Sequence, residues 1–385
     1  MEEENLSYNP ANSNVKPDLN LNSKPISTSD SLYRTKLMVV GYENVGKTTI
    51  LDCLFPIQDL AETKGTLMRT EYLIELWGKY LRKYQPKELN KIHKEIILED
   101  REWNIEKLKE TGLELVPLND KNQRKIEIYL KDQETRDKWF GRLKRVILNV
   151  ATHGIEIQEQ ILQNQTKSNN IDGLLNNVQQ SLTPNIDVSI WDFAGHAEYY
   201  NTHHYFLSNR SIFLVLYRMD KGIKGLESLD FWFKSLSFHL NQNYCDENGK
   251  PFYSIIIVGT FLDDQNVDKL EVSKKSREQK ILEMYDKNGL KSPPFYFEVS
   301  CSTLENIEEL KQKIYSTALN HSYMGQKLPI GYLKIKNSIE ELRNQEKFKN
   351  FPIISLQELI NYNKTNSEIE FDDEFVKKVL KLLPL

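Results

Sequence analysis

Short apolar runs separated by amphipathic stretches dominate the second half of the chain. Ser211 to Tyr217 (SIFLVLY) and Tyr253 to Gly259 (YSIIIVG) are nearly unbroken apolar runs, the pattern of strands buried on both faces. Lys36-Leu37-Met38-Val39-Val40 near the start reads the same way, and Gly154 to Ile157 and Ile186 to Trp191 are two further strand candidates. Helical periodicity marks the stretches around Leu226 to Leu240, Ser273 to Asn288 and Leu304 to Tyr315. Strands alternating with helices predict an α/β fold with a doubly wound, mostly parallel sheet.

That alternation is interrupted between about Gly65 and Leu148. Here Lys94 to Asp100, Gly112 to Leu115 and Lys125 to Leu130 suggest strands, and a final helix carries Trp139, Leu143, Val146 and Ile147 on one face. Residues 66–148 are therefore expected to be a β-rich insert that folds as its own unit, with residues 33–65 and 149–320 forming the α/β domain around it. Residues 1–32, rich in Asn, Ser and Pro, show neither periodicity and are expected to be a disordered tail. The Gln/Asn-rich stretch between Ile157 and Ile186 is expected to be a long mobile loop.

At 385 residues the chain has room for two or three domains. A net charge of −4 gives no global argument for nucleic acid as a partner, so any basic surface must be local. Cys53, Cys245 and Cys301 are isolated and show no metal-binding spacing; reduced, mostly buried thiols are expected. No apolar run approaches the ~20 residues that span a bilayer. A cytoplasmic protein, peripheral at membranes at most, is the corresponding expectation.

The chemistry begins at Gly41-Tyr42-Glu43-Asn44-Val45-Gly46-Lys47-Thr48, a G-x-x-x-x-G-K-[ST] loop between a strand and a helix that opens near Thr49. Gly41 and Gly46 let the backbone curl so that the N–H groups of Asn44, Val45 and their neighbours face phosphate. Lys47 reaches the β and γ phosphates, and the Thr48 hydroxyl can hold Mg²⁺. Glu43 places a carboxylate close to any triphosphate, a repulsion of about 1 kcal/mol or more at 4 Å. Asp192-Phe193-Ala194-Gly195 ends a strand, where a carboxylate binds Mg²⁺ through water and the Gly195 amide meets a γ-phosphate. Asp263, in Val258-Gly259-Thr260-Phe261-Leu262-Asp263, is placed to accept from N1 and N2 of guanine, or else simply ends a turn. In Val299-Ser300-Cys301-Ser302 the small residues Ser300 and Cys301 let backbone amides approach a base oxygen, unless the serine is only a helix cap.

These four pieces occur in the order of a Ras-like G domain, and the chain resembles the Roc GTPase domain of the Roco family. The stretch Trp191 to Ser208 is similar to the family's D-F-A-G-x-x-x-Y-x-x-T-H-x-x-F-L pattern, and Thr152-His153-Gly154-Ile155-Glu156-Ile157 resembles its switch I. The resemblance implies GTP and GDP as ligands, Mg²⁺ on Thr48, Thr152 and Asp192, a guanine site including Thr260 and Asp263, and slow hydrolysis in signalling. His196, where G domains carry a Gln or His, either orients the attacking water or only decorates a mobile switch; Arg210 is a further candidate to stabilise charge. Phe261 departs from the family's usual His. Leu328 to Lys334 and Phe351 to Ser355 look like the opening of a COR region over residues 321–385, which in this family supports dimerisation.

The end of the insert, with Trp139 on its helix, resembles a pleckstrin-homology domain. That likeness implies a phosphoinositide or anionic membrane surface as partner for Lys79, Arg82, Lys83, Lys87, Lys91 and Lys94; the plainer reading is a solvated basic face. Effector or regulatory proteins are the partners a switch requires. The rival functions are a non-hydrolysing adaptor with a structural or empty nucleotide pocket, and an ATP-driven enzyme in which Asp263 does not read the base.

Overall fold

The computed structural model describes residues 31–64, 69–89, 91–98, 102–109, 111–118, 125–148, 152–163, 183–264, 267, 274–327, 330–349, 353–366 and 373–382. The tail up to residue 30, the Gln/Asn-rich stretch 164–182, Asn149 to Ala151, Leu328-Pro329 and Phe351-Pro352 lie outside them. Ser31 and Leu32, included in the expected tail, form a two-residue strand.

The α/β domain is built on a six-stranded sheet. Its strands are β1 (Arg34–Gly41), β9 (Ile155–Leu162), β10 (Ile186–Phe193), β11 (Ser211–Arg218), β12 (Ser254–Thr260) and β13 (Phe295–Glu298). They lie in the order β9-β10-β1-β11-β12-β13. All neighbours are parallel except β9, which runs antiparallel to β10 from Ile155↔Phe193 to Leu162↔Ile186. This edge strand is longer than the four residues its sequence suggested. It alternates exposed with half-buried positions, and Ile157 and Ile161 point outward, which hid its length.

Period two along β1 sends Leu37 and Val39 to one face and Met38 and Val40 to the other. The first face is covered by α1 (Lys47–Leu54) and α5 (Ile307–Leu319), through Ile50, Leu54, Leu310 and Ile314. The second is covered by α3 (Gly222–His239) and α4 (Lys274–Lys287), through Leu229, Trp232, Phe233 and Tyr285. Both faces being covered is why these strands are continuously apolar.

Between α1 and β9 stands a seven-stranded antiparallel sheet. Its strands are β2 (Ile57–Lys64), β3 (Arg69–Trp77), β4 (Tyr80–Tyr84), β5 (Ile92–Ile97), β6 (Trp103–Lys107), β7 (Gly112–Pro117) and β8 (Ile126–Tyr129). The order is β5-β4-β3-β2-β8-β7-β6, and α2 (Gln133–Leu148) closes the unit. Trp139, Leu143 and Ile147 on α2 are fully buried against Ile74, Leu113, Leu115 and Ile128, and the Trp139 indole donates to Asp59 Oδ2 at 2.8 Å. The insert thus begins at Ile57 and not at Thr66: β2 pairs along β3 from Ile57↔Leu76 and also with β8, so it belongs to this sheet.

Residues Lys327–Leu383 cluster as a separate unit. Its helices α6 (Ile330–Arg343), α7 (Leu356–Asn366) and α8 (Asp373–Leu382) pack around Ile335, Leu359, Ile360, Val376 and Val379. Residues 321–326, expected to open this segment, fall with the α/β domain, where His321 meets Ser254 and the Tyr323 hydroxyl meets Thr35. Among the described residues no helix is long and apolar enough to cross a membrane. Of the three free cysteines Cys53 is buried, Cys301 is half-buried and Cys245 is exposed, so burial holds for fewer thiols than expected.

Candidate nucleotide site

The loop joining β1 to α1 turns at the end of the parallel sheet. Gly41 has φ 153°, and a Cβ there would lie 2.8 Å from the Leu216 carbonyl oxygen and 2.9 Å from Val45 Cγ2. Only glycine passes this point. Asn44 and Gly46 follow with φ of 60° and 87°, folding the loop around the start of α1. The Thr260 hydroxyl donates to the Val45 carbonyl at 2.9 Å, so the end of β12 braces the loop. Lys47 is buried, and its ammonium donates to the carbonyls of Gly41 (3.0 Å) and Tyr42 (2.8 Å). Burial lowers its pKa to about 8 against the raising effect of Asp192 and Glu43.

Three oxygen-bearing side chains meet beside Lys47. The Thr48 hydroxyl donates to Asp192 Oδ2 at 2.6 Å and lies 2.7 Å from the Thr152 hydroxyl, which in turn is 3.1 Å from the same Asp192 oxygen. Asp192 is completely buried, and its Oδ1 has no hydrogen-bond partner among the described residues. Burial raises the carboxyl pKa; the Thr48 and Thr152 hydroxyls and Lys47 oppose the rise. A buried acceptor without a donor, beside two hydroxyls, is a donor set that suits a hard divalent cation.

Gly195 packs on the loop so tightly that a Cβ would fall 2.5 Å from Glu43 Cα and 2.6 Å from Lys47 Nζ. His196, next to it, is held at the loop: its Nδ1 is 3.3 Å from Glu43 Oε2. Glu43, read from sequence as a repulsive neighbour of phosphate, therefore already has an imidazole beside it.

The other end of the site is a pair of turns after β12 and β13. The Ser300 hydroxyl donates to Asp263 Oδ1 at 2.6 Å and accepts from the amides of Ser302 (3.1 Å) and Thr303 (3.0 Å), fixing one turn on the other. The Leu262 amide donates to the Val299 carbonyl at 3.1 Å, a second tie. Cys301 contributes its carbonyl to the Cys53 thiol of α1 at 3.8 Å. Phe261 takes φ 64°, a conformation unusual for a bulky residue, and the Arg218 guanidinium stacks 4.0 Å from its ring centre. A cavity of about 680 Å³ joins the two ends, running from Gly46, Thr48 and Thr49 to Thr260, Asp263 and Cys301.

Arg218 was missed in the sequence. Its only signal is a cation one step past the apolar run of β11, at the loop end of the sheet; there it also pairs with Asp220 at 2.7 Å and reaches the Asn44 carbonyl at 3.4 Å. Arg210, the sequence candidate, precedes the same strand. The register Ser211↔Lys36 and Leu216↔Gly41 puts it at the opposite end of the sheet, about 25 Å of extended strand from the loop. It lies between the rings of Phe252 and Tyr323, 5.6 and 5.4 Å from their centres, and cannot serve the phosphates.

Four of the six cations of the insert have definite surroundings. Lys79 donates to the Ser302 hydroxyl at 3.2 Å, and Arg82 is bound to Glu95 at 2.6 Å and stacked on Trp77. Lys83 and Lys94 are register partners across β4 and β5, where burial and then Lys94 lower the Lys83 pKa to about 8.

Residues 148–263 match the family described as Roc, the Ras of Complex domain of DAPkinase. The chain is 32% identical over 197 residues to the probable serine/threonine-protein kinase pats1 of Dictyostelium discoideum, covering 50% of this chain and 6% of that one. It is 25% identical over 330 residues to the probable serine/threonine-protein kinase roco5 of the same organism, covering 84% of this chain and 9% of that protein. Among solved structures it is similar to Methanosarcina barkeri Roco2 RocCORdC bound to GDP, with TM-score 0.48 and 15% identity over 93% of this chain and 68% of that chain. The chain thus spans a small fraction of the length of its kinase relatives, and residues 148–263 are the part that matches the Roc family.

Proposed function

We propose that this domain binds GTP and GDP with Mg²⁺ and acts as a signalling switch that hydrolyses GTP slowly to GDP and phosphate. One observation carries the reading most: a single cavity runs from Thr48, whose hydroxyl meets Asp192 and Thr152, to Asp263, which the Ser300 hydroxyl holds. A divalent cation held by those three residues would offset charge on the β and γ phosphates. Loop amides and Lys47 bind the phosphates, the Gly195 amide meets the γ-phosphate, and the Asp263 carboxylate accepts from guanine N1 and N2. His196 orients water for attack on the γ-phosphorus, which requires its release from Glu43. In this reading the seven-stranded insert is a PH-like module for an anionic membrane surface. The helices from residue 330 onward open a COR region, and the protein works in the cytoplasm with effector proteins and as a homodimer.

The test is GTP titration of the protein and its Thr48→Asn variant, in Mg²⁺ and in EDTA, followed by phosphate release. Tight binding that EDTA and T48N both weaken, followed by slow phosphate release, supports the switch. Binding without phosphate release favours the adaptor. Normal GTP binding by T48N in Mg²⁺ makes the cation assignment wrong.

A further inference from the structure

The cavity does not belong to the α/β domain alone. Gly78 and Lys79, in the turn between β3 and β4, Leu98 just beyond β5, and Arg145 and Val146 on α2 line it from the insert side. This wall is anchored at several points. The Gly78 amide donates to the Asp52 carbonyl at 3.3 Å and the Trp77 indole to the Cys53 carbonyl at 2.7 Å, while within the wall the Leu98 amide donates to the Lys79 carbonyl at 2.9 Å. Gly78 has φ 55°, and a Cβ there would sit 2.8 Å from Cys53 Sγ, so the turn lies against α1 as closely as a backbone can. The Tyr80 hydroxyl donates to the Ser302 carbonyl, and the Lys79 ammonium reaches the Ser302 hydroxyl at 3.2 Å. Ser302 follows two residues after Ser300, which holds Asp263.

We propose that the insert is a wall of the nucleotide site and that Lys79 contacts the nucleoside part of the bound guanine nucleotide. The inference rests on the guanine-nucleotide reading above. Guanine accepts at O6, N7 and N3 beside the N1 and N2 donors that Asp263 reads, the ribose hydroxyls also accept, and an ammonium fixed beside the base-reading turns is a donor matched to these atoms. Leu98 and Val146 add an apolar surface on the same side. A nucleotide leaving the cavity loses contact with the insert as well as with the α/β domain, so the insert retards release.

The experiment loads the full chain with tritiated GDP in Mg²⁺, chases with excess unlabelled GDP, and follows retention on filters. It compares wild type with Lys79→Ala, Lys79→Arg and Lys83→Ala. One charge-assisted hydrogen bond corresponds to roughly tenfold in rate. K79A is therefore expected to release GDP about tenfold faster, K79R is expected within about twofold of wild type, and K83A, on the same hairpin, is expected to be unchanged. Thermal unfolding midpoints check that all four chains fold alike. Release from K79A at the wild-type rate overturns the proposal, as does equal acceleration by K83A. A wild-type chain that retains no GDP and binds none overturns the guanine reading itself, a result distinct from an inert K79A.

Discussion

The two sheets of this molecule bury their residues in different ways. The parallel sheet is covered on both faces, and β11 and β12 are buried along almost their whole length. The insert sheet buries one side of each strand: β8 alternates Ile126 and Ile128 inward with half-exposed Glu127 and Tyr129. The first arrangement leaves chemistry only at strand ends, which is where the phosphate loop, Asp192 and Asp263 stand. The second offers side chains along strands and turns, and one of those turns reaches the cavity that Thr48 and Asp263 line. Where the sheets meet, the joint is ionic: Arg142 of α2 lies 2.8 Å from Asp52 of α1, both nearly inaccessible, and donates to the Phe55 carbonyl at 2.8 Å. Arg145, one turn on, holds Glu156 of β9 at 2.9 Å and lies 3.9 Å from Asp52.

Breaking that joint has the largest expected effect. Arg142→Ala leaves Asp52 buried without its closest partner and should cost about 3–5 kcal/mol, read by denaturant unfolding. Replacing both partners by apolar residues, Asp52→Leu with Arg142→Met, should recover most of the loss. A loss below about 1 kcal/mol for R142A would mean that the pair does not tie the regions together.

A smaller effect is expected within the parallel sheet's own site. Asp263→Asn exchanges an acceptor pair for one donor and one acceptor, so guanine should bind about 10- to 100-fold more weakly and xanthine more tightly. Competition between GDP and XDP measures it; an unchanged preference removes Asp263 from the base site.

The smallest is a pH dependence. Lys47 is charged below its lowered pKa of about 8 and loses that charge as pH rises through it. Phosphate binding favours the charged form, so affinity for GDP should be flat below about pH 7 and fall roughly tenfold by pH 9. Lys47→Arg, which stays charged, should lose this dependence. A flat profile for the wild type would contradict the burial of the ammonium.

The same contrast explains how much was legible in the sequence. Strands buried on both faces announce themselves, and the loop, Thr48, Asp192 and Asp263 follow at their ends; the structure brings Thr48 and Asp263 to one cavity, with Asp192 bonded behind Thr48. The start of the insert did not show, because β2 buries Ile57, Ala61 and Thr63 while its Leu60 is 53% exposed. After Ile57 its one large apolar residue faces solvent, and small or polar residues face the core. Arg210 and Arg218 flank one strand and look alike in sequence; only the parallel register says which end holds the loop. Lys79 was read as one of six surface cations, since its contact with Ser302 joins residues 223 positions apart. Docking of one sheet on another leaves no periodicity to read.

The central claim is that one cavity, closed by the insert, holds a guanine nucleotide. Calorimetric titration of nucleotide-stripped protein with GDP and with ADP, in Mg²⁺ at pH 7.5, tests it most directly. A base edge read by the Asp263 carboxylate predicts GDP affinity at least ~100-fold above that for ADP. Equal affinities, or heat from neither nucleotide, would contradict it.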